Sequence, residues 1–409
     1  MAANPNIPPV ELAEQLAVQN DRKIVLAILD GLGGVPRERK TELEAASIPN
    51  LNRLAAQSSL GLSTPIAPGI TPGSGPAHLA LFGYDPVTYR VPRGVLEGMG
   101  LGLELAPGDL VGRGNFATID DAGRLVDRRA GRLPTAVCAL LCGRLQREIP
   151  AVGDVRVTVV PGAEHRFVVL FRGPGLAGDL SDSDPQHNGE RPLEVLPPDT
   201  AGARSAEVAN TFIRRSAEVL ASEKTANWVL LRGLGSPPAI PSLADRYRLR
   251  PVGIAAYPMY RGIARLCGMD VPDAGSTWES ELDTLRRIAD EHDFCYIHFK
   301  ETDRAGEDGD FDAKVEIIER FDEEVVPRLV ALRADVLCIT GDHSTPAVLC
   351  GHSWHPVPLL IHASYSRRHS RLDEFGERAC ARGDLGHIRA RDVMPLLLAY
   401  GLKLRKFGA

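Results

Sequence analysis

The chain has 409 residues, long for one domain and comfortable for two. Hydrophobic residues make up 44% and charged residues 24%, an ordinary balance for a globular protein in water, and a formal net charge of -6 with no basic patch speaks against a nucleic-acid binder. No apolar run is long enough to span a bilayer, and the start, MAANPNIPPVELAEQLAVQNDRK, lacks the basic-then-apolar order of a secretory leader, so a cytoplasmic protein that binds neither membrane nor nucleic acid is expected.

In chain order, KIVLAILDGLG (23–33) is a continuous apolar run that ends in Asp30 and glycines. GITPGSGPAHLALFGYDP (69–86) follows, with Ser74 between two glycines. Glycine neighbours leave space around the hydroxyl and tolerate backbone angles that other residues avoid, which suits a displayed serine; an ordinary turn is the alternative. The G-x-S-x-G spacing of a hydrolase elbow is absent, because Pro72 stands at its first position. Between 105 and 222 the texture changes. VRVTVV (155–160) and HRFVVLFRG (165–173), joined by PGAE, predict an antiparallel hairpin in a stretch otherwise rich in Arg, Asp, Gly and Pro. A smaller inserted α+β domain is expected over 105–222, leaving 1–104 and 223–409 as one discontinuous domain. Its segment 173–192 is a long loop of the kind that often carries function.

Further on, WVLLRGLG (228–235), FCYIHFKETD (294–303), DVLCITGDHST (335–345) and VPLLIHA (357–363) are apolar throughout. Continuous rather than alternating apolarity predicts strands buried on both faces, hence a mainly parallel sheet flanked by helices, an α/β core. Stretches 279–293 and 311–332 supply such helices, with carboxylates outward. Seven cysteines, an odd count without a C-x-x-C pair, read as reduced core residues.

Ligands of such sheets bind beyond the carboxyl ends of the strands, so the polar strand ends should converge: Asp30, Asp303, Asp342 with His343, and His352 in GHSWHPVP. Singly, an Asp after a strand is a cap or turn residue. Together, three carboxylates at one sheet edge would raise one another's pKa unless cations neutralised them. Asp with His is also the mixed donor set of zinc, manganese and related divalent ions, with two ions the natural count. HFKETDRAGEDGD is acidic like a calcium loop but lacks the EF-hand spacing.

ILDGLGG, TPGSGPAHLALFGYDP, TDRAGEDGDF, TGDHSTP and HSWHPVPLLI, in this order, resemble the cofactor-independent phosphoglycerate mutases of the archaeal type, in the alkaline phosphatase superfamily. GNFATID, DRRAGRLP and AYPMYRGIARLCGMD extend the similarity over most of the chain. The resemblance implies an alkaline-phosphatase-like core interrupted by a substrate domain, and interconversion of 2-phosphoglycerate and 3-phosphoglycerate through a phosphorylated Ser74. It also implies two divalent metals, manganese foremost, with magnesium, cobalt or zinc as alternatives. One metal would be held by Asp30, Ser74, Asp342 and His343, the other by Asp303, His352 and residue 307. The commonest family pattern has histidine at that last place, where Glu307 stands here. Carboxylate ligates the same ions, so a working site with altered metal preference is expected; a solvent-facing Glu307 beside a weak second site is the alternative.

A phosphoglycerate carries a phosphate and a carboxylate, and planar bidentate recognition of both favours arginine. Asp127, Arg128, Arg129 and Arg132 of DRRAGR are candidates, with Arg166 and Arg261; Asp127 could take a glycerate hydroxyl and Arg128 the carboxylate. His187 is a candidate acid or base, and His78, one turn beyond Ser74, reads as orienting the loop. Metal-dependent phosphatases and phosphopentomutases share the metal residues, and a binding protein that has lost turnover at position 307 is the rival from another class.

Overall fold

In the computed structural model, which describes residues 9–366 and 373–408, the chain divides into two units, one up to Arg90 and from Ile240 onward, the other Val91–Ala239. The leader reading rests in part on residues 1–8, which lie outside the described residues. In chain order the strands are β1 (Ile24–Leu29), β2 (Ser59–Thr64), β3 (Leu110–Ile119), β4 (Leu125–Asp127), β5 (Ala151–Val152), β6 (Val155–Pro161) and β7 (Arg166–Arg172). They continue as β8 (Trp228–Gly235), β9 (Pro251–Ile254), β10 (Phe294–Phe299), β11 (Val336–Thr340), β12 (Val357–Ala363) and β13 (Gly386–Arg389).

The first unit holds a seven-stranded sheet in the order β13-β2-β12-β11-β1-β10-β9. All six residues of β1 are buried, and it lies parallel between β10 and β11, with Ala27 opposite Ile297 on one side and Ile339 on the other. β9 and β13 also pair in parallel, while β12 runs antiparallel to both β11 and β2. Valine, isoleucine and leucine suit the inner strands β1, β10 and β11 because these are buried along their whole length, whereas the edge strand β13 is partly exposed. One result is decisive for the site. Three adjacent parallel strands, β10, β1 and β11, end at the same edge, and each hands over directly to a polar turn.

The second unit has a six-stranded sheet, with five strands in the order β4-β3-β7-β6-β5 and β8 paired to β3 off that path. The hairpin β6–β7 is antiparallel as expected. β8, read from its apolarity as part of the parallel core, pairs antiparallel with β3 in this second sheet instead. The reason is physical: continuous apolarity reports burial on both faces, not strand direction. Val95 of helix Arg93–Gly100 packs with Val111, Val168 and Leu170 on one face, while Phe212 and Ile213 of helix Ala203–Leu220 join Val229 and Leu231 in the cluster on the other. Those same contacts carry the unit beyond 105 and 222 at its two ends.

The helix expected over 311–332 is Phe311–Arg320, then a wider π turn at Phe321–Val325, then Val326–Ala331. Pro327 has no N–H to give to the preceding turn, which accounts for the widening there. Six cysteines are buried and unpaired, but Cys350 is exposed, since it sits in a left-handed turn after Leu349 rather than in a strand. Among the described residues no helix is long and apolar enough to cross a membrane.

Candidate active site

Asp30 follows β1, Lys300 follows β10, and Asp342 and His343 follow β11 after Gly341. Ser74 opens helix Ser74–Leu81 and is buried, with its Oγ 3.1 Å from His343 Nε2. Its neighbour Gly73 has φ -90° and ψ 161°, an extended conformation open to any residue. A side chain there would meet nothing closer than Pro76 at 3.8 Å. Neither crowding nor backbone strain therefore demands glycine at position 73. His78, one turn on, is wholly buried and donates from Nδ1 to the Ser74 carbonyl at 2.8 Å, with Asp342 Oδ2 3.3 Å away. Its role is orientation.

The strand ends meet in two clusters that share one histidine. Asp30, Asp342 and His343 form the first, and Asp303, His343 and His352 the second, with one candidate ligand atom from each residue within 4.8 Å of the others. In the first, His343 Nε2 is 3.4 Å from Asp30 Oδ1 and 3.2 Å from Asp342 Oδ2, and these two carboxylate oxygens are buried without a hydrogen bond among the described residues. Orphaned buried anionic oxygens facing an imidazole are what a divalent cation would satisfy. In the second, His352 Nε2 is 3.3 Å from Asp303 Oδ1. Glu307, four residues after Asp303 on helix Glu301–Glu307, is exposed, and its Oε1 is 3.8 Å from His352 Nε2, at the rim of the cluster.

The histidine tautomers fit ligation. Pro72 O can only accept, so His352 donates to it from Nδ1 at 2.9 Å and turns Nε2 inward. Thr345 Oγ1 gives its proton to Asp303 Oδ1 at 2.7 Å and so accepts from His343 Nδ1 at 3.0 Å, which again leaves Nε2 for the cluster.

Electrostatics concentrates at the same place. Burial pushes the Asp30 carboxyl up, but Lys300, 2.9 Å away, with His298 and His343, holds it well below the usual range. Burial also acts against the Asp303 carboxylate, but its hydrogen bond from His352 and the charge of Lys300 override that and leave it at about 2. Desolvation opposes the charged form of His352, yet Asp303 and the Pro72 carbonyl raise it to about 9. Such opposed shifts within one cluster mark functional sites.

Sequence reasoning missed Lys300, which also bonds Asp303; Tyr260, whose hydroxyl donates to Asp30 Oδ2; and His298, stacked on Tyr260 at 3.5 Å with Nε2 3.3 Å from Asp30. Lys300 and His298 lie in the quoted FCYIHFKETD and Thr345 in TGDHST, so reading past the carboxylates to every residue of each strand end would have found them. Tyr260 comes from helix Pro258–Leu266, and its spacing carried no signal.

In the second unit the DRRAGR residues are largely engaged. Asp127 accepts the backbone N–H groups of Arg129 and Gly131, and Arg128 makes a two-pronged pair with Asp184 at 2.6 Å and donates to Gln186 O. Arg129, Arg132 and His187 are exposed; Arg261, in the first unit, is half-buried. A different arginine stands out. Arg113 on β3 is buried, and its Nε has no hydrogen-bond partner among the described residues. Burial, followed by repulsion from Arg93, lowers it to about 10, with Arg166 and Arg232 adding to the effect. Burial pushes His165 down, and the charges of Arg166, Arg113 and Arg129 add to it, leaving it at about 4.

Residues 55–226 match a family model described as 2,3-bisphosphoglycerate-independent phosphoglycerate mutase. A probable 2,3-bisphosphoglycerate-independent phosphoglycerate mutase of Thermotoga neapolitana is 49% identical over 399 residues, 98% of this chain and 99% of that protein. One of the same description from Aquifex aeolicus is 46% identical over 409 residues, 98% and 100% of the two chains. Among solved structures, a protein of Pyrococcus horikoshii is similar with a TM-score of 0.81 at 30% identity, over 95% of this chain and 100% of that one. A cofactor-independent phosphoglycerate mutase from Thermoplasma acidophilum is similar with a TM-score of 0.69 at 31% identity, over 93% and 100%.

Proposed function

Because the chain belongs to the family of 2,3-bisphosphoglycerate-independent phosphoglycerate mutases and so interconverts 2-phosphoglycerate and 3-phosphoglycerate, we propose that the phosphate travels by way of Ser74. The observation that carries this reading is the placement of a buried hydroxyl at a helix start, 3.1 Å from an imidazole shared by two carboxylate clusters.

Asp30, Asp342 and His343, with Ser74, would hold one divalent cation; Asp303 and His352, with Glu307 at the rim, would hold the second, manganese foremost in both. Bound there, the two ions supply the positive charge that eases loss of the serine proton and offsets the phosphoryl oxygens. The chain's own residues set the geometry. Ser74 Oγ attacks phosphorus, the ester bond to glycerate breaks, the proton given up by Ser74 replaces phosphorus on the departing glycerate oxygen, and the phosphoserine so formed lies at the positive end of helix Ser74–Leu81, where the free N–H groups of the first turn favour an anion. His78 fixes the Ser74 carbonyl and thereby the start of that helix. Glycerate then presents its other hydroxyl to the phosphoserine, and Ser74 is regenerated.

Retention of glycerate separates a mutase from a phosphatase, and we assign the grip on its carboxylate to Arg113, supported by Arg166 and Arg232. Arg128 serves instead to brace Asp184. The test is an acid quench during turnover of 3-phosphoglycerate, with 2-phosphoglycerate followed in a coupled assay. Wild type should carry phosphate on Ser74, and Ser74→Ala should lose turnover by at least about a thousandfold, the scale seen when a nucleophile is removed, while keeping its fold. An active Ser74→Ala enzyme would end the mechanism.

A further inference from the structure

Lys314 lies on helix Phe311–Arg320, whose expected pattern put carboxylates outward, and its own side chain is wholly buried. An ammonium group has three N–H donors and no acceptor. All three find backbone carbonyls: Gly31 O at 2.9 Å, Gly33 O at 3.1 Å and Thr345 O at 2.9 Å. The first two belong to the turn after β1, the third to the turn after β11. Buried Glu42, 4.0 Å from Nζ, is the nearest counter-charge, and its Oε1 accepts the Ala347 N–H two residues beyond Thr345.

Each of these turns is one covalent or hydrogen-bonded step from the clustered ligands. Gly31 directly follows Asp30, and its N–H donates to Asp342 Oδ1 at 3.1 Å. Thr345 binds Asp303 and His343 through its hydroxyl, and its N–H returns to Gly33 O at 3.1 Å. The packing leaves no slack. A side chain at Gly31, already at φ +64°, would come within 2.5 Å of Thr345 Oγ1, and one at Gly306, between Asp303 and Glu307, within 2.2 Å of Thr345 O. Uncharged packing could fill the volume of Lys314 but would leave Thr345 O without its donor, at the cost that any unpartnered buried carbonyl carries.

We propose that Lys314 is a positioning residue for the metal centre: its amino group, hydrogen-bonded to three backbone carbonyls, holds the turns after β1 and β11 at the separation that faces Asp30, Asp342, His343 and Asp303 toward one another. The inference rests on the reading that these side chains hold divalent cations. Partners that orient ligands from behind change metal affinity by about 10- to 100-fold when removed, and that is the effect expected here.

The experiment uses the full chain, with free manganese measured by its electron paramagnetic resonance signal, and compares wild type with Lys314→Met. The variant's Kd for manganese should rise at least about tenfold. Its manganese-induced gain in melting temperature should shrink, and KM for 3-phosphoglycerate at saturating manganese should stay within about twofold. A role in general stability would lower the metal-free melting temperature and leave the Kd alone, so a Kd within about twofold of wild type overturns the inference. If Lys314→Met does not fold, Lys314→Gln, which keeps two N–H donors for the same carbonyls, should show an intermediate Kd; collapse of both variants would mark Lys314 as a stability residue and also overturn it. Wild type that binds no manganese would sink the metal-centre reading itself, an outcome distinct from the others.

Discussion

Glu307 stands where the family resemblance implies histidine, and its Oε1, 3.8 Å from His352 Nε2, is near enough for both side chains to reach one ion after a small rotation. Imidazole is the softer donor, and it shifts preference from manganese toward cobalt and zinc. Glu307→His should therefore remain active and raise the affinity for zinc relative to manganese by about tenfold, as measured by competitive metal titration. Identical metal profiles would show that position 307 does not ligate. At this scale the convergence of Asp30, Asp303, Asp342, His343 and His352 was legible, because the polar residues that follow buried parallel strands are carried to one sheet edge. The sequence did not display His343 as the residue shared by two clusters, because sharing depends on which Nε2 faces which carboxylate. Arg128 shows the converse: an arginine beside an aspartate in DRRAGR looked available, while its partner Asp184 lay in a loop 56 positions away.

At the scale of elements, one helix controls another through a buried carboxyl. Glu281 on helix Trp278–Ile288 accepts the Ala256 N–H at 2.7 Å, just ahead of the helix that delivers Tyr260 to Asp30. Burial, with Glu301 adding and the Ala256 bond opposing, pushes Glu281 up to about 8. A carboxyl raised in the native state binds its proton more tightly there than in the unfolded chain. Its contribution is complete below the unfolded pKa of about 4.3 and is lost as pH rises through about 8. Wild type should thus lose unfolding free energy relative to Glu281→Gln between about pH 5 and pH 8.5, on the order of a few kcal/mol at roughly 1.4 kcal/mol per pH unit, read as a falling melting temperature. Parallel melting curves would refute it. The elements themselves were legible where period and burial agree, as in β1, β10, β11 and the hairpin β6–β7. They were not legible where apolarity has two causes: β8 looks like a central parallel strand because helices cover both faces of its antiparallel sheet, and β12 reverses direction with no change of composition. Lys314 escaped notice for a similar reason, since a lysine on a helix full of carboxylates looks like surface.

Over the whole molecule, the metal centre lies within one unit and the Arg113 cluster within the other. Phosphoryl transfer and glycerate retention should therefore be separable by mutation. Arg113→Ala removes a charge-assisted contact worth about 1.5 to 3 kcal/mol, so mutase turnover should fall at least about tenfold while phosphate released per turnover rises. Arg113 is repelled by Arg93, Arg166 and Arg232 but attracted by Glu97, whose Oε1 lies 3.9 Å from its Nη1, so the melting temperature is measured alongside, and a changed product ratio at unchanged melting temperature distinguishes a lost grip from a lost fold. An unchanged ratio of phosphate to 2-phosphoglycerate would remove Arg113 from the role. The position of β1 at the centre of its sheet has a further consequence, for how the protein is made. Synthesis proceeds from the N-terminus, so the six apolar residues of β1 leave the ribosome long before Phe294 and Val336, the first residues of both flanking strands, exist. The Val91–Ala239 unit, uninterrupted in the chain, has all its strands to hand once Gly235 is added. The part that performs the chemistry is thus begun first and closed last, and in the interval an unpaired hydrophobic strand must be kept from pairing with its counterpart on a neighbouring nascent chain.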